Sequence, residues 1–389
     1  MILRSYYLYQ AAANCVFFQP IFFLYYERRA GLGVATVLWL QSYNTTVRAL
    51  LDFPFGAVAD RTSRRGCLVA AAAAVATGAA ALLVRPGLDV AIAAETLFAV
   101  ASALRSGADS ALLYDGLERA GRLAEYPRAE GRGQAVTALA SGATAVVGGL
   151  LAAVDLRLPY VATVLAAAAS AAAAAGLAED PSRRPYRAGA WTLMRAAAGH
   201  ARRTAAVRWA IGLAAFAITT SHVYFYLQQP YLEAIGLPVA LFGVVFAATK
   251  VVTALTAGAA YRVDAALGAR GASAAMALVP AVGLGAMAVV ATPAGAGLVL
   301  TRGLLDGLWQ PLCNVYQNRL VGSRLRATVL SLQSLVARLA LALTLALLGA
   351  GLHLGTLAGT LLAVAAGVAL LGATLVRSAP RAACRAATV

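Results

Sequence analysis

The sequence predicts an all-α integral membrane protein whose twelve crossings form two pseudo-symmetric six-helix bundles, and three observations predict it. Of 389 residues, 61% are hydrophobic and 12% charged, with a mean hydropathy of +0.75, whereas a soluble globular domain carries about 25% charged residues. Apolar runs punctuated by Gly, Pro and charge recur at lengths near the ~20 residues that one helix needs to cross a hydrocarbon core ~30 Å thick. The longest polar stretch, 179–207, falls mid-chain and leaves six such runs on either side. Twelve crossings of ~20 residues use roughly 240, so no sizeable soluble domain fits in the remainder.

Crossing 1 is expected near 5–26. It follows a start with one Arg and three Tyr and no small-residue cleavage site, which reads as a retained helix rather than a removed signal. Gln10, Asn14 and Phe17 or Phe18 share one face of it, and Tyr25 and Tyr26 at its far end are expected in an interfacial belt. Crossing 2 (33–59) carries Arg48 and Asp52, four residues apart and so on one helical face. Crossing 3 (67–84) is free of charge. Crossing 4 (90–114) carries Glu95 and a second i, i+4 pair, Arg105 and Asp109; crossings 5 (133–154) and 6 (158–178) complete the first bundle, residues 1–178.

The stretch 179–207, with Arg183, Arg184, Arg187, Arg195, His200, Arg202 and Arg203, is the expected linker between bundles. Within it 191–206 suits a basic amphipathic helix on the membrane surface, and a merely solvated connection fits equally. The second bundle, 208–389, opens with crossing 7 (208–232), which presents His222, Tyr226 and Gln229 on one face and ends in Tyr231, again expected in a belt. Crossing 8 (238–260) carries Lys250, crossing 9 (272–291) no charge, and crossing 10 (296–317) the pair Arg302 and Asp306 followed by Trp309, Gln310 and Asn314. Crossing 11 (327–349) carries Arg338, and crossing 12 (355–376) is free of charge. Charge-free helices at every third place in both halves argue for bundles assembled from three-helix units, with those helices facing lipid.

The net charge of +16 would suit nucleic acid only if the basic residues formed one stripe on a soluble domain, and they do not. They sort by side instead. With the amino terminus cytoplasmic, 23 of the 32 basic residues lie in inner connections and tails, four (Arg28, Arg29, Arg85, Arg157) in outer ones and five within helices. The positive-inside rule then places both termini in the cytoplasm. Cys15, Cys67, Cys313 and Cys384 show no ligand spacing, so neither a metal nor a disulfide is expected, and no cofactor motif occurs. Asn44-Thr-Thr46 fits a glycosylation pattern but lies inside crossing 2. The small-residue spacings Gly303 to Gly307 and Gly355 to Gly359 call for no dimer, and the chain is expected to act as a monomer.

An ionisable side chain inside the bilayer costs a few kcal/mol or more, so it needs a partner or a water-filled cavity. Arg48–Asp52, Arg105–Asp109 and Arg302–Asp306 carry their own counter-ions, which serves insertion as well as transport. Glu95, Lys250 and Arg338 have no local partner and must reach across the bundle or face water. Asp52, Glu95, Asp109 and Asp306 are the candidate proton carriers, because a carboxylate moved between apolar and Arg-rich settings changes its hold on a proton. Arg48, Arg105, Lys250, Arg338, Gln10, Asn14, Phe18, His222, Tyr226, Gln229, Trp309, Gln310 and Asn314 are candidate substrate contacts, polar atoms among rings. His222, Trp309, Gln310 and Asn314 also fit packing or bonds between helices. Five embedded bases against four acids lean towards an anionic or zwitterionic solute.

The connection after crossing 2 reads Gly56-Ala-Val-Ala-Asp60-Arg61-Thr-Ser63-Arg64-Arg65. It resembles the signature loop of the major facilitator superfamily, with Ser63 where that family usually has a second Gly. A weaker counterpart, Gly258-Ala-Ala-Tyr-Arg262 to Arg270, occupies the equivalent connection of the second half. The resemblance implies a secondary transporter that rocks two halves about a central cavity lined by crossings 1, 4, 7 and 10. It also implies an inner gate of Gly56, Asp60, Arg61, Arg64, Arg65 and Asp115, against which the same charges merely setting topology remains the alternative. Proton-coupled efflux of a small organic molecule across a bacterial inner membrane is the function it implies, with uptake of an anionic or zwitterionic metabolite as the alternative. A channel or receptor would leave the loop and the repeat unexplained. No phosphate loop, dinucleotide turn or nucleophile elbow points to an ATP-driven pump or an enzyme.

Overall fold

The computed structural model describes residues 2–179, 199, 201, 203–320 and 323–380, with the side chains of 53, 56–61, 318, 319 and 323–328 outside the description. Cys384 and most of the expected linker (180–198, 200 and 202) likewise lie outside the described residues. Among the described residues the regular structure is helical throughout, with no strand. The helices are α1 (Ile2–Ala13), α2 (Phe22–Ala30), α3 (Val34–Arg61), α4 (Arg64–Val84), α5 (Leu88–Arg105), α6 (Ala108–Arg119), α7 (Tyr126–Val154), α8 (Leu158–Ala175), α9 (Ala205–Ala234), α10 (Phe242–Val289), α11 (Thr301–Leu320), α12 (Ser323–Leu354) and α13 (Leu357–Arg377). Seven helical stretches are long and apolar enough to cross a membrane by length and composition. The twelve crossings arise because α1 with α2, and α5 with α6, each make one interrupted crossing, while α10 holds two that meet at Gly268 (φ 63°).

The two interruptions depart from the continuous helices expected for crossings 1 and 4. In crossing 1, Pro20 lacks an N–H and disfavours helical backbone at Gln19, so residues 14–21 leave the α-helix before α2 starts. The N–H of Phe17 freed by the break donates to Thr163 Oγ1 at 3.0 Å, and Thr163 in turn donates to the Pro159 carbonyl. In crossing 4 the break falls at Gly107, whose φ of 76° lies in the left-handed region that costs other residues about 1–2 kcal/mol.

Two compact units emerge, Met1–Arg187 with Pro238–Ala247, and Ala188–Leu237 with Ala248–Val389. In the first, α4 lies against α5 and α8, α3 against α5, and α1 against α6, α7 and α8. The start of α10 belongs to this unit because Gly243 meets the α7 backbone at Ala145 so closely that a Cβ would collide with it. In the second unit α9 is the central helix, packed by α11, α12 and α13. Trp209, Leu213, Met276, Leu305, Leu312 and Tyr316 form its core, and the Trp209 indole donates to the Leu375 carbonyl at 2.9 Å. In the charge-free crossings α4 buries Ala71, Ala72 and Ala79 together with Leu68 and Leu82, and α13 buries Leu361 and Val368 while exposing Leu362, Leu370 and Leu371.

The expected belt of Tyr25, Tyr26 and Tyr231 is corrected, since all three are buried at 2% exposure or less. The Tyr25 hydroxyl donates to the Leu82 carbonyl at the end of α4, and the Tyr231 hydroxyl to the Val290 carbonyl at the end of α10, each at 2.9 Å. The last carbonyls of a helix have no partner in their own helix, and hydrocarbon supplies none. The same bond in both halves extends the internal repeat to single side chains. Tyr25→Phe is expected to lower unfolding stability in detergent by about 1–3 kcal/mol, as for a buried carbonyl left without a donor; an unchanged thermal midpoint would count against this role.

Candidate coupling and substrate site

In the first unit one polar network joins crossings 1, 4 and 5. From α1, Gln10 Nε2 donates to Asp109 Oδ2 on α6 and to the Tyr6 hydroxyl, both at 2.9 Å, and Tyr6 donates to Glu130 Oε2 on α7 at 2.9 Å. Asn14 donates to the Gln10 carbonyl at 2.7 Å and to Thr137 at 3.2 Å. Arg105 donates to the Ala13 carbonyl at 2.9 Å and to Asn14 Oδ1 at 2.7 Å. The expected Arg105–Asp109 ion pair is therefore absent among the described residues. Gly107 breaks the helix between them, so i, i+4 spacing no longer sets a common face, and each side chain turns to α1 instead.

Glu95 on α5 reaches across the bundle, as a charge without a local partner must. Its carboxylate is 5% exposed and accepts from Tyr26, Gln41 and Asn44, each at 2.8 Å. Asn44 also donates to the Glu95 backbone carbonyl at 2.8 Å, which gives the apparent glycosylation motif a role inside the bundle. Arg48 and Asp52 stay within 4.0 Å of each other along α3.

At the opposite end of the first unit, Arg64 at the start of α4 pairs with Asp115 at 2.9 Å. Ser63 caps α4 by accepting from the Gly66 N–H at 2.8 Å, so the residue that departs from the signature pattern does so as a helix cap. Glu179 accepts from the Ser63 hydroxyl and the Arg64 N–H, both at 2.5 Å. Arg65 is exposed, and the side chains of Gly56, Asp60 and Arg61 lie outside the described residues. The second half repeats the contact with changed chemistry, Tyr316 on α11 donating to Asp264 at 2.7 Å.

In the second unit Arg302 is 8% exposed and stands 3.4 Å from Asp306 through Nε. Its guanidinium lies 5.0 Å from the Phe225 ring centroid and donates weakly to Gln228 at 3.5 Å. Ser221 donates to Asp306, and Lys250, partly buried, lies within Coulombic reach of both Arg302 and Asp306. Gln229 and Tyr226 are buried on α9, whereas His222 is exposed with its ring nitrogen 2.8 Å from the Ile218 carbonyl of its own helix. Gln310 and Asn314 share an exposed face of α11, Trp309 packs against the core, and Arg338 is half-buried on α12.

Phe18 stacks between Tyr160 at 4.6 Å and Phe98 at 5.5 Å, in a wall of rings. Sequence reading passed over Tyr6, Ser110, Glu130, Thr137 and Glu179. Tyr6 lies one turn before Gln10 and gave a signal, but Glu130 and Glu179 fall where loops were expected. Among the described residues no group of three or more potential ligands could hold a metal ion.

Residues 10–345 match the family model described as Major Facilitator Superfamily. No curated protein matches the sequence. A mutant of the nucleoside transporter NupG has a similar structure, with TM-score 0.82, 12% identity, and coverage of 97% of this chain and 100% of that one. A POT family transporter in complex with 5-aminolevulinic acid gives TM-score 0.71 at 12% identity, covering 98% of this chain and 96% of that one. Another, in complex with a thioalcohol conjugated peptide, gives 0.71 at 12% over the same shares. At these identities the likeness is one of fold. Gly107→Ala is expected to lower stability by about 1 kcal/mol, as for a side chain forced to positive φ, and thermal unfolding in detergent would show no loss if the break in crossing 4 were dispensable.

Proposed function

Because the chain belongs to the Major Facilitator Superfamily, we propose that it exports a small polar organic solute by alternating access, coupled to proton entry. It is a membrane transporter and not an enzyme. One observation supports the coupling most. Corresponding crossings of the two units each carry a buried or half-buried Arg, an Asp four residues on, and amide side chains bonded to one of them: Gln10 and Asn14 with Arg105 and Asp109, and Gln228 with Arg302 and Asp306. An apolar pair would insert more easily, so charge kept at these places speaks for use.

In the proposed cycle Asp109 and Glu95 are the foremost proton carriers, since each accepts from neutral donors rather than a cation, and Asp306 and Asp52 are the others. Gln10, Asn14, Arg105, Tyr226, Gln229 and Lys250 are the proposed substrate contacts, together with His222, Gln310, Asn314, Trp309, Arg48 and Arg338. Phe18 contributes to the packed ring wall behind. Arg64 and Asp115, with Gly56, Asp60, Arg61 and Arg65, form the inner gate, and Glu179 joins it. Zwitterionic solutes of the size of a nucleoside or short peptide suit a site with one basic residue in excess. The distribution of basic residues supports cytoplasmic termini in a bacterial inner membrane, and one chain suffices as a monomer.

Transport assays on everted vesicles test this. With an acid interior, the protein should accumulate a matching solute from a panel of nucleosides, short peptides and amino-acid analogues, and Asp109→Asn should reduce accumulation to the level seen without a gradient. Flux indifferent to the gradient in both proteins would reject proton coupling, and accumulation only in right-side-out vesicles would reverse the direction.

A further inference from the structure

We propose that Asp109 and Glu130 form a coupled proton-binding pair, with Gln10 and Tyr6 as the positioning residues that turn a proton on Asp109 into the loss of the Tyr6–Glu130 bond between α1 and α7. This rests on the reading of Asp109 as a proton carrier. Every hydrogen bond around the pair has a forced direction. Asp109 accepts from the Ser110 N–H at 2.8 Å through Oδ1 and from Gln10 Nε2 at 2.9 Å through Oδ2. Glu130 accepts from the Ser110 hydroxyl at 2.9 Å and Gln134 at 3.3 Å through Oε1, and from the Tyr6 hydroxyl at 2.9 Å through Oε2. Ionised carboxylates only accept, and here each oxygen faces donors.

The remaining charges do not intrude on these bonds. Arg105 on α5 spends its guanidinium on the Ala13 carbonyl and Asn14. Tyr9 on α1 and Tyr126 on α7 lie within Coulombic reach. Arg64 is engaged by Asp115 two turns further along α6, Tyr114 packs on Tyr126, and α4 and α8 present Leu68 and Ala174 to this region.

A proton taken from water onto Asp109 Oδ2 replaces an acceptor with an O–H donor, and that donor confronts the Gln10 NH2 group. Two donors cannot bond each other. A half-turn of the Gln10 amide resolves the conflict by presenting Oε1 both to Asp109 and to Tyr6, at the cost of the weak bonds that Oε1 accepts from Asn14 at 3.4 Å and Thr137 at 3.5 Å, the Thr137 hydroxyl then accepting from the turned NH2 group. The Tyr6 O–H then turns from Glu130 to Gln10, with no covalent bond broken in either side chain. Glu130 keeps Ser110 and Gln134 but loses its bond to α1. Tyr6 and Gln10 are 1% and 2% exposed whereas Glu130 is only half-buried, so water can reach the freed Glu130 oxygen while the α1 side of the contact stays dry.

Infrared pH titration of the full-length protein in lipid nanodiscs, following the carbonyl stretch of protonated carboxyl groups, tests the pair without a substrate. Asp109→Asn identifies the Asp109 band. Glu130→Gln should displace the midpoint of that band by about one pH unit, a tenfold change in proton affinity, as expected of sites that titrate together. In a Tyr6→Phe background the same substitution should move it less than about twofold, because only through-space repulsion survives. Gln10→Met, which has no amide to turn, gives a second arm with the same expectation. Equal displacement in all backgrounds, or none in any, overturns the proposal. If Asp109→Asn removes no titrating band, the assignment of Asp109 as proton carrier fails instead.

Discussion

Lipid offers no hydrogen bonds, and that scarcity organises this protein. Each carbonyl, carboxylate or guanidinium left inside has to be met by another part of the chain. Tyr25 and Tyr231 meet the open ends of neighbouring helices, Thr163 meets the N–H exposed by the break in crossing 1, and Tyr26, Gln41 and Asn44 together meet Glu95. The interior polar groups are therefore the fasteners of the bundle as well as its candidate chemistry. Substituting them tests both at once, which is why readouts that separate stability from coupling are needed.

The two halves answer the same demand with different residues. Where the first unit sets Arg64 against Asp115, the second sets Asp264 against Tyr316. Arg105 saturates its fork on the broken backbone of crossing 1, whereas Arg302 leans on Phe225, Gln228 and Asp306 within an unbroken α11. A common plan with divergent chemistry is what a repeat gives once each copy has its own part in a cycle.

Composition, run length and the Asp-Arg loop made the membrane class, the family and the sites of buried charge legible in the sequence. Partnership was legible only where spacing along one helix decides it. Arg302 and Asp306 approach as i, i+4 residues do, but Arg105 and Asp109 do not, because Gly107 breaks the geometry that the spacing assumes. Tyrosines at helix ends were misplaced for a related reason: an amphipathic ring suits a membrane interface and a buried helix terminus alike, and nothing local separates the two. Glu130 and Glu179 were hidden because their partners, Tyr6 and Ser63, are more than a hundred residues away.

Crossing 1 is anchored twice. Its outer stub, α2, is fastened through Tyr25 to α4 and through Tyr26 to Glu95 on α5, while its inner stub, α1, is bonded to α6 and α7. Between the anchors, residues 14–21 follow no continuous helical ladder. That segment is where three neighbours take hold: Arg105 bonds Ala13 and Asn14, Thr137 bonds Asn14, and Thr163 bonds the Phe17 N–H, so the break in one helix becomes the joint that pins it to three others.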